Sequence, residues 1–449
     1  MHCFGLALLS LPLGALACAG SGTDDEGASA GTAGQAAQGG TGGTGGAAFG
    51  AGGAASGGAA GASASGGTGG AGGNLTLLPS DVSTLFPPPA SAAEWEMLLA
   101  PTASGPRGAL LPPSVWQAMN VSLFEATPNE YEMLRLVSFR LDPCFRVDGG
   151  QVCEPQIRLI WQPSNEGDAA VHTLYKLRAV EFDRALAAVA GLRAGHTEAE
   201  PTALAAHPVL RAEGLGGAYA SALRQFVLDY AGASTLTRLA IFAFPGSRPL
   251  DGVQQWSFLA FDVVDGASVS PRTVAPGSAS KIQFFDTDAA HPRSTPDGPS
   301  GLLLASDPGA CEATVSISTD GAPDLFGPSA SVCALSPVEA EARVHSALRF
   351  ENPLLTPSDS TACANCHLAP TLRLLAESRF GVASASFVER YGAEPDHTAS
   401  ALRYFGATRA FGYVKTPAGL DVSVSPRVVH ETSEVLKGVA QKVGRAGER

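Results

Sequence analysis

Basic residues are absent from the first 73 positions of this 449-residue chain, which contain 25 of its 53 glycines and none of its 29 Lys and Arg residues. The chain as a whole is also short of positive charge, with a formal net charge of −13. Because phosphate binding needs a basic surface, this deficit argues against nucleic acid as a partner. Methionine is absent after Met133, which matters for the metal chemistry considered below.

The apolar stretch 5–17 is shorter than the roughly 20 residues that a membrane-spanning helix needs, and it fits the apolar core of a signal peptide. Ala15-Leu16-Ala17 then forms a small-x-small cleavage pattern before Cys18. This boundary resembles a bacterial lipoprotein signal, in which the Cys is lipidated. Two features depart from it: Ala15 stands where Leu is usual, and no basic residue precedes the apolar stretch. An ordinary signal peptide cut at the same position is the alternative.

Residues 18–73 are predicted to be a lipidation site followed by a disordered linker. Positions 19–73 are almost all Gly, Ala, Ser and Thr, which have too little apolar surface to offset the entropy of ordering the chain. As a random coil this segment would span about 40 Å. The arrangement resembles exported myxobacterial lipoproteins, and the residue after Cys18 is not Asp. The resemblance therefore implies an outer-membrane anchor facing the periplasm or the cell surface.

The remaining residues predict an α+β fold, with a mixed α and β body at 74–335 and a mostly helical segment at 336–449. Alternating apolar residues predict that 133–141 and 156–161 pair as strands. Apolar residues at helical spacing predict helices at 169–194 and 215–230. The other predicted elements are strands at 236–244, 256–264 and 281–285 and helices at 338–348, 371–379, 384–391 and 431–443.

Four of the eight cysteines are expected to form disulfides, because an even number in an oxidising compartment favours pairing. Nearest-neighbour pairing joins Cys144 to Cys153 across an Asp-Gly turn, and Cys311 to Cys333. The competing interpretation is a metal site formed by the same four residues. Their spacing lacks the paired C-x-x-C halves that zinc sites usually show.

Cys363-Ala364-Asn365-Cys366-His367 carries the strongest chemical signal in the chain. It matches C-x-x-C-H, the attachment signature for a c-type haem. Two thiols at this spacing can add to the two vinyl groups on one edge of a porphyrin, and the following His is then held under the iron. The alternatives are a thioredoxin-like redox pair or a plain disulfide, although no βαβ pattern surrounds the motif.

The motif resembles that of c-type cytochromes, which implies one covalent haem c bound by Cys363 and Cys366, with His367 as proximal iron ligand. The resemblance covers the motif and the helical stretch after it, but not residues 74–335. Small cytochromes c offer a Met downstream as the sixth ligand, and here none follows His367. His430, at the start of a predicted helix, is the tentative distal ligand. Ligands folding over from upstream, such as Met97, Met133 or His345, remain open.

Three functions remain open from the sequence. The first is electron transfer by a haem-binding lipoprotein, with an unidentified redox partner protein. The second is a peroxidase-like haem enzyme with an open iron site, which the missing downstream Met keeps possible. The third is a surface binding lipoprotein in which residues 74–335 act and the haem segment is an accessory.

Overall fold

A computed structural model describes one folded unit within the segment from Gly70 to Arg449. The described residues are 77–119, 129–147, 152–164, 169–201, 203–243, 254–272, 282–287, 336–358, 363–392, 411–416 and 419–447. Their helices are α1 (Pro79–Val82), α2 (Ala92–Trp95), α3 (Pro113–Met119), α4 (Glu130–Met133), α5 (Ala179–Arg193), α6 (Pro208–Glu213), α7 (Ala218–Tyr230), α8 (Pro337–Glu351), α9 (Cys363–Phe380) and α10 (Pro426–Gly447). Their strands are β1 (Ser83–Leu85), β2 (Ser104–Gly105), β3 (Gly108–Ala109), β4 (Leu134–Val147), β5 (Val152–Pro163), β6 (Ala170–Lys176), β7 (Leu236–Ala243), β8 (Gln254–Val264), β9 (Ser268–Arg272), β10 (Ile282–Thr287), β11 (Phe411–Thr416) and β12 (Gly419–Val424).

An eight-stranded antiparallel sheet forms the centre of this unit. Its strands follow the order β1-β4-β5-β6-β7-β8-β10. The eighth strand, β9, pairs with the part of β8 that β10 leaves unpaired. The predicted pairing of 133–141 with 156–161 is confirmed, since Phe139 lies opposite Leu159 in the β4–β5 ladder. The β8–β9 turn has positive φ at both Asp265 and Gly266, as tight hairpin turns require. At Gly266 a Cβ would lie 2.4 Å from the carbonyl oxygen of Ala233, so only glycine fits.

Residues 169–194 do not form the single helix that their apolar spacing predicts. The structure divides them into β6 and α5. Within β6, Val171, Thr173 and Tyr175 are fully buried and alternate with less buried residues. β-branched and aromatic side chains favour a strand when one face can be buried against neighbours, and here β5 and β7 supply those neighbours.

Helices α5, α6 and α7 cover what we call the first face of the sheet. Phe139 of β4 packs against Phe226 of α7, with ring centroids 5.8 Å apart. Trp161 donates from Nε1 to the hydroxyl of Thr173 at 2.9 Å, and Tyr175 donates its hydroxyl proton to the carbonyl of Leu110. These buried polar groups are therefore satisfied without water.

The opposite side of the sheet, called here the second face, is covered in part by the β11–β12 hairpin and α10. The hydroxyl of Ser138 on β4 donates to the carbonyl of Phe411. Gln162 of β5 accepts from the N–H of Tyr413 and donates to its carbonyl, so its amide binds the hairpin as a third strand would. A Cβ at Gly412 would lie 2.2 Å from Oε1 of Gln162, so this approach requires glycine.

The α+β class is confirmed, but the prediction of a mostly helical C-terminal segment is not supported. Strands β11 and β12 pair antiparallel within that segment, and Gly419 at the start of β12 has φ +114°. The predicted helix at 384–391 is only a three-residue 3₁₀ turn at Ser384–Ser386. One hydrophobic core joins residues of the sheet with residues of β11, β12 and α10, among them Phe411, Val424, Val428 and Val439.

Cys144 and Cys153 are joined as a disulfide across the β4–β5 hairpin, with Cα atoms 4.6 Å apart. Replacing both with alanine should lower the free energy of unfolding by about 2.7 kcal/mol, because the unfolded chain loses the closure of a ten-residue loop. Urea unfolding of the double variant and of the wild type, each with and without reductant, measures this effect. Equal midpoints for oxidised wild type and double variant would contradict it.

Candidate haem-attachment site

The C-x-x-C-H motif begins helix α9, with Cys363 as its first residue. Positions 363, 366 and 367 are related as i, i+3 and i+4, so they share one face of the helix. A single helical turn therefore brings together the positions of two thiols and one imidazole. This is the spacing that attachment to one porphyrin edge requires.

Pro370 lies inside the same helix, four residues after Cys366. Proline has no N–H, so the carbonyl of Cys366 receives no hydrogen bond from the residue one turn ahead. The proline ring also crowds that carbonyl, and helices bend at such points. The first turn of α9, which carries the motif, is therefore held less tightly to the rest of the helix.

His367 lies against the second face of the sheet. Its imidazole stacks on Phe242 of β7, with ring centroids 5.2 Å apart and an interplanar angle of 25°. Phe242 is buried, with 2% of its surface exposed. The motif is consequently placed where α9 meets the sheet, with an aromatic surface beside the imidazole.

Cys366 is a free, partly buried thiol. Burial raises its pKa to about 11, although nearby Arg427 opposes this shift. The thiolate is the nucleophilic form of a redox-active cysteine, and reactive pairs have a lowered pKa. A thioredoxin-like role is therefore disfavoured for Cys366 by its surroundings.

A buried ionic network lies close to Cys366, and we call it the Glu431 cluster: Glu431 and Arg427 of α10, Arg140 of β4, and Ser358. Arg427 donates from Nε to Glu431 at 2.7 Å, Ser358 donates its hydroxyl proton at 2.6 Å, and Arg140 is ion-paired with the same carboxylate. Burial alone would raise the pKa of Glu431, but the guanidinium groups of Arg427 and Arg140 outweigh it and hold that pKa well below its usual range.

Arg158 extends this positive region along the second face. It lies opposite Arg140 in the β4–β5 ladder and stacks over the ring of Phe145 at 5.3 Å. Its Nε is buried without a hydrogen-bond partner. Burial lowers the pKa of Arg158, and Glu431 opposes this shift. Three guanidinium groups thus share the single carboxylate of Glu431 near the motif, and Asp142, the next acidic group, has its pKa raised by burial.

The candidate sixth ligands lie in different parts of the fold. His430 donates from Nδ1 to the carbonyl of Glu351 at 2.8 Å and stacks on Tyr391 at 4.5 Å. His345 is bonded to Glu389 through Nδ1 at 2.7 Å. Met97 lies beside Gly216, in the connection to α7 on the first face.

Three predicted site residues, Cys18, Cys311 and Cys333, lie outside the described residues. Within the described part, no three His, Cys, Asp or Glu side chains are grouped to hold a metal ion by themselves. A haem iron needs only one or two protein ligands, because the porphyrin supplies the others. Among the described helices, none is long and apolar enough to cross a membrane.

The Glu431 cluster was missed by the sequence analysis. Arg140 and Glu431 are separated by 291 positions, and no local pattern relates them. Comparison with known proteins adds no assignment, since no family model, curated protein or solved structure matches the chain. The site therefore depends on its own residues and geometry.

Proposed function

We propose that this chain is an exported electron-transfer protein that carries one covalent haem c at the start of α9. The observation that supports it most is that positions 363, 366 and 367 share one helical face and that His367 of this face stacks on the buried ring of Phe242. A haem bound there would supply one-electron chemistry through its iron. The residues present would suit such a group, because the motif offers two cysteines and one imidazole and the buried ring of Phe242 lies beside that imidazole.

Each residue of the motif has its own task. The thiols of Cys363 and Cys366 would hold a haem through two thioether bonds, since addition of S–H across each vinyl group needs no oxidant. The imidazole of His367 would be the protein ligand to its iron. Pro370 removes a backbone hydrogen bond just after the motif, which would leave the first turn of α9 freer to adjust when a haem is attached.

Mass spectrometry of the protein, expressed in a host with a working haem-maturation system, tests the proposal. We expect one haem adduct on the peptide that contains Cys363 and Cys366, and absorption spectra that change on reduction. A protein without the adduct, although the host matures a control cytochrome, would overturn the proposal. A high-spin ferric spectrum that responds to peroxide would favour the peroxidase-like alternative.

The chain also has the features of a lipid-anchored protein, and the proposal includes lipidation of Cys18 and anchoring in the outer membrane. The cleavage pattern before Cys18 and the Gly-rich linker after it support this part. The linker would let the haem segment reach a redox partner some tens of ångströms from the membrane.

Replacing Cys18 with serine should release most of the protein from the membrane fraction, since serine has no thiol to carry the diacylglycerol. Fractionation followed by detection of the covalent haem measures the distribution. Cys3→Ser is the matched control, because Cys3 precedes the predicted cleavage point and should not alter the distribution. Identical fractionation of Cys18→Ser and wild type would contradict the anchor.

A further inference from the structure

A surface cavity of about 520 Å³ lies between α3, α4 and the turn at residues 100–102. This volume is in the range of small-molecule sites, about 300–1,000 Å³. None of the described residues that line it belongs to the C-x-x-C-H motif or to the Glu431 cluster. Hydrogen bonds hold its walls together, because the N–H of Leu111 donates to the carbonyl of Pro101 and the hydroxyl of Tyr131 donates to the carbonyl of Leu111. The cavity therefore belongs to the folded chain itself.

Trp116 and Tyr131 give this cavity an aromatic wall. Their ring centroids lie 5.7 Å apart at an interplanar angle of 42°. Tyr131 is buried, whereas Trp116 is only partly buried. Pro113, Trp116 and Gln117 are related as i, i+3 and i+4 on α3, so they share one face of this helix. A partly exposed Trp offers a ligand a broad apolar surface and an N–H donor at its edge.

Uncharged polar groups surround the aromatic wall. The side chains of Thr102, Gln117 and Asn129 line the cavity and are exposed, and they form no hydrogen bond among the residues that the structure describes. In the same part of the chain, the indole N–H of Trp116 has no acceptor. Amide and hydroxyl groups can both donate and accept hydrogen bonds. These side chains can therefore bind the hydroxyl groups of a ligand, which also donate and accept.

The charged groups of the lining are poor anchors for an ion. Arg135, whose side chain is 9% exposed, forms a bidentate pair with Glu96 at 2.6 and 2.7 Å. Glu130 is buried and already engaged in another contact. Glu132 is exposed, so water and salt screen its charge. A ligand is therefore held mainly by the aromatic wall and by the uncharged polar groups.

From this combination we propose that the cavity binds a neutral saccharide. A pyranose ring has an apolar face of C–H groups, which fits against the exposed part of Trp116. Its hydroxyl groups can bind the amides of Gln117 and Asn129 and the hydroxyl of Thr102. A purely apolar ligand would remove water from these groups without replacing its hydrogen bonds. The proposal is independent of the haem and gives the mixed α and β body a binding function of its own.

Calorimetric titration of the purified full-length protein with neutral oligosaccharides of glucose, mannose, galactose and N-acetylglucosamine tests the proposal. We expect at least one of them to bind and to change the tryptophan fluorescence. Trp116→Ala should weaken that binding by more than about tenfold, because the sugar loses its apolar platform. Trp116→Phe should recover part of it, since Phe keeps an aromatic face. Gln117→Ala, made in case the Trp116 variants do not fold, should weaken binding by about fivefold, the effect of one neutral hydrogen bond.

Gln225→Ala is the matched control, because Gln225 is an exposed glutamine on α7 that does not line the cavity, and this variant should bind as the wild type does. Failure of every oligosaccharide to bind would overturn the proposal. Binding that persists unchanged in Gln117→Ala and in the folded Trp116 variants would also overturn it. Choline is the probe for an organic cation and should not bind. Choline binding that Glu132→Gln abolishes, without saccharide binding, would show a cation site instead.

Discussion

Replacing Glu431 with glutamine should lower the free energy of unfolding by about 3–5 kcal/mol, the usual cost of breaking a buried ion pair by removing one partner. Glu431 is the carboxylate shared by Arg140 and Arg427, whose side chains are only 3% and 2% exposed. Glutamine keeps the shape but not the charge, so both guanidinium groups would remain buried without compensation. Urea denaturation followed by circular dichroism measures the change.

Glu434→Gln is the matched control, because Glu434 lies one turn away on α10, its ionic partner Lys437 is 46% exposed, and glutamine can still accept the hydrogen bond that Tyr391 donates. Exposed pairs contribute about 0–1 kcal/mol, so this variant should be nearly as stable as the wild type. Similar losses in both variants would show that the effect comes from helix α10 in general. A loss below about 1 kcal/mol in Glu431→Gln would show that the cluster contributes little.

The same residue predicts a pH dependence. The folded-state pKa of Glu431 is lowered, so its contribution to stability is fully present above the unfolded value of about 4.3 and is lost as the pH falls toward the folded value. Asp142 and Glu351 have raised pKa values through burial and act in the opposite direction. The difference in free energy of unfolding between wild type and Glu431→Gln isolates the contribution of Glu431. This difference should shrink below about pH 4.

Local patterns predicted most of the sheet. The alternation in 133–141 and 156–161 predicts the pairing of β4 with β5 from the sequence itself. The failure at 170–176 has a physical cause, since these residues have both helical and alternating apolar spacing. Only pairing with β5 and β7 selects the strand, and β7 is distant from these residues in the sequence. The strands β11 and β12 are short, so they carry little local pattern. The side chains that bind this hairpin, Gln162 and Ser138, belong to the large sheet, which is distant in the sequence.

The candidate site divides in the same way. The motif is local, so the prediction of haem attachment depends on five consecutive residues alone. The surroundings are not local: Phe242 and the Glu431 cluster reach the motif only through strand register and helix packing.

Replacing Cys366 with alanine should reduce the yield of holoprotein sharply, and this is the largest effect expected for the haem chemistry. Only one thioether could then form, through Cys363, whereas the C-x-x-C-H motif would use two thiols to hold the two vinyl groups of one haem. Haem stain after denaturing electrophoresis, scaled to protein amount, measures the yield.

The double variant Cys144→Ala, Cys153→Ala is the control for this measurement. It removes two cysteines that are distant from the motif in the sequence and leaves the motif intact. It should lower stability without lowering the haem carried by each folded molecule. His367→Ala separates attachment from ligation, because both thiols remain while the proximal nitrogen is lost. We expect that variant to keep a covalent adduct with an altered spectrum. Full haem loading of Cys366→Ala would show that Cys366 takes no part in attachment, and the motif would then have to be read as a coincidence of spacing.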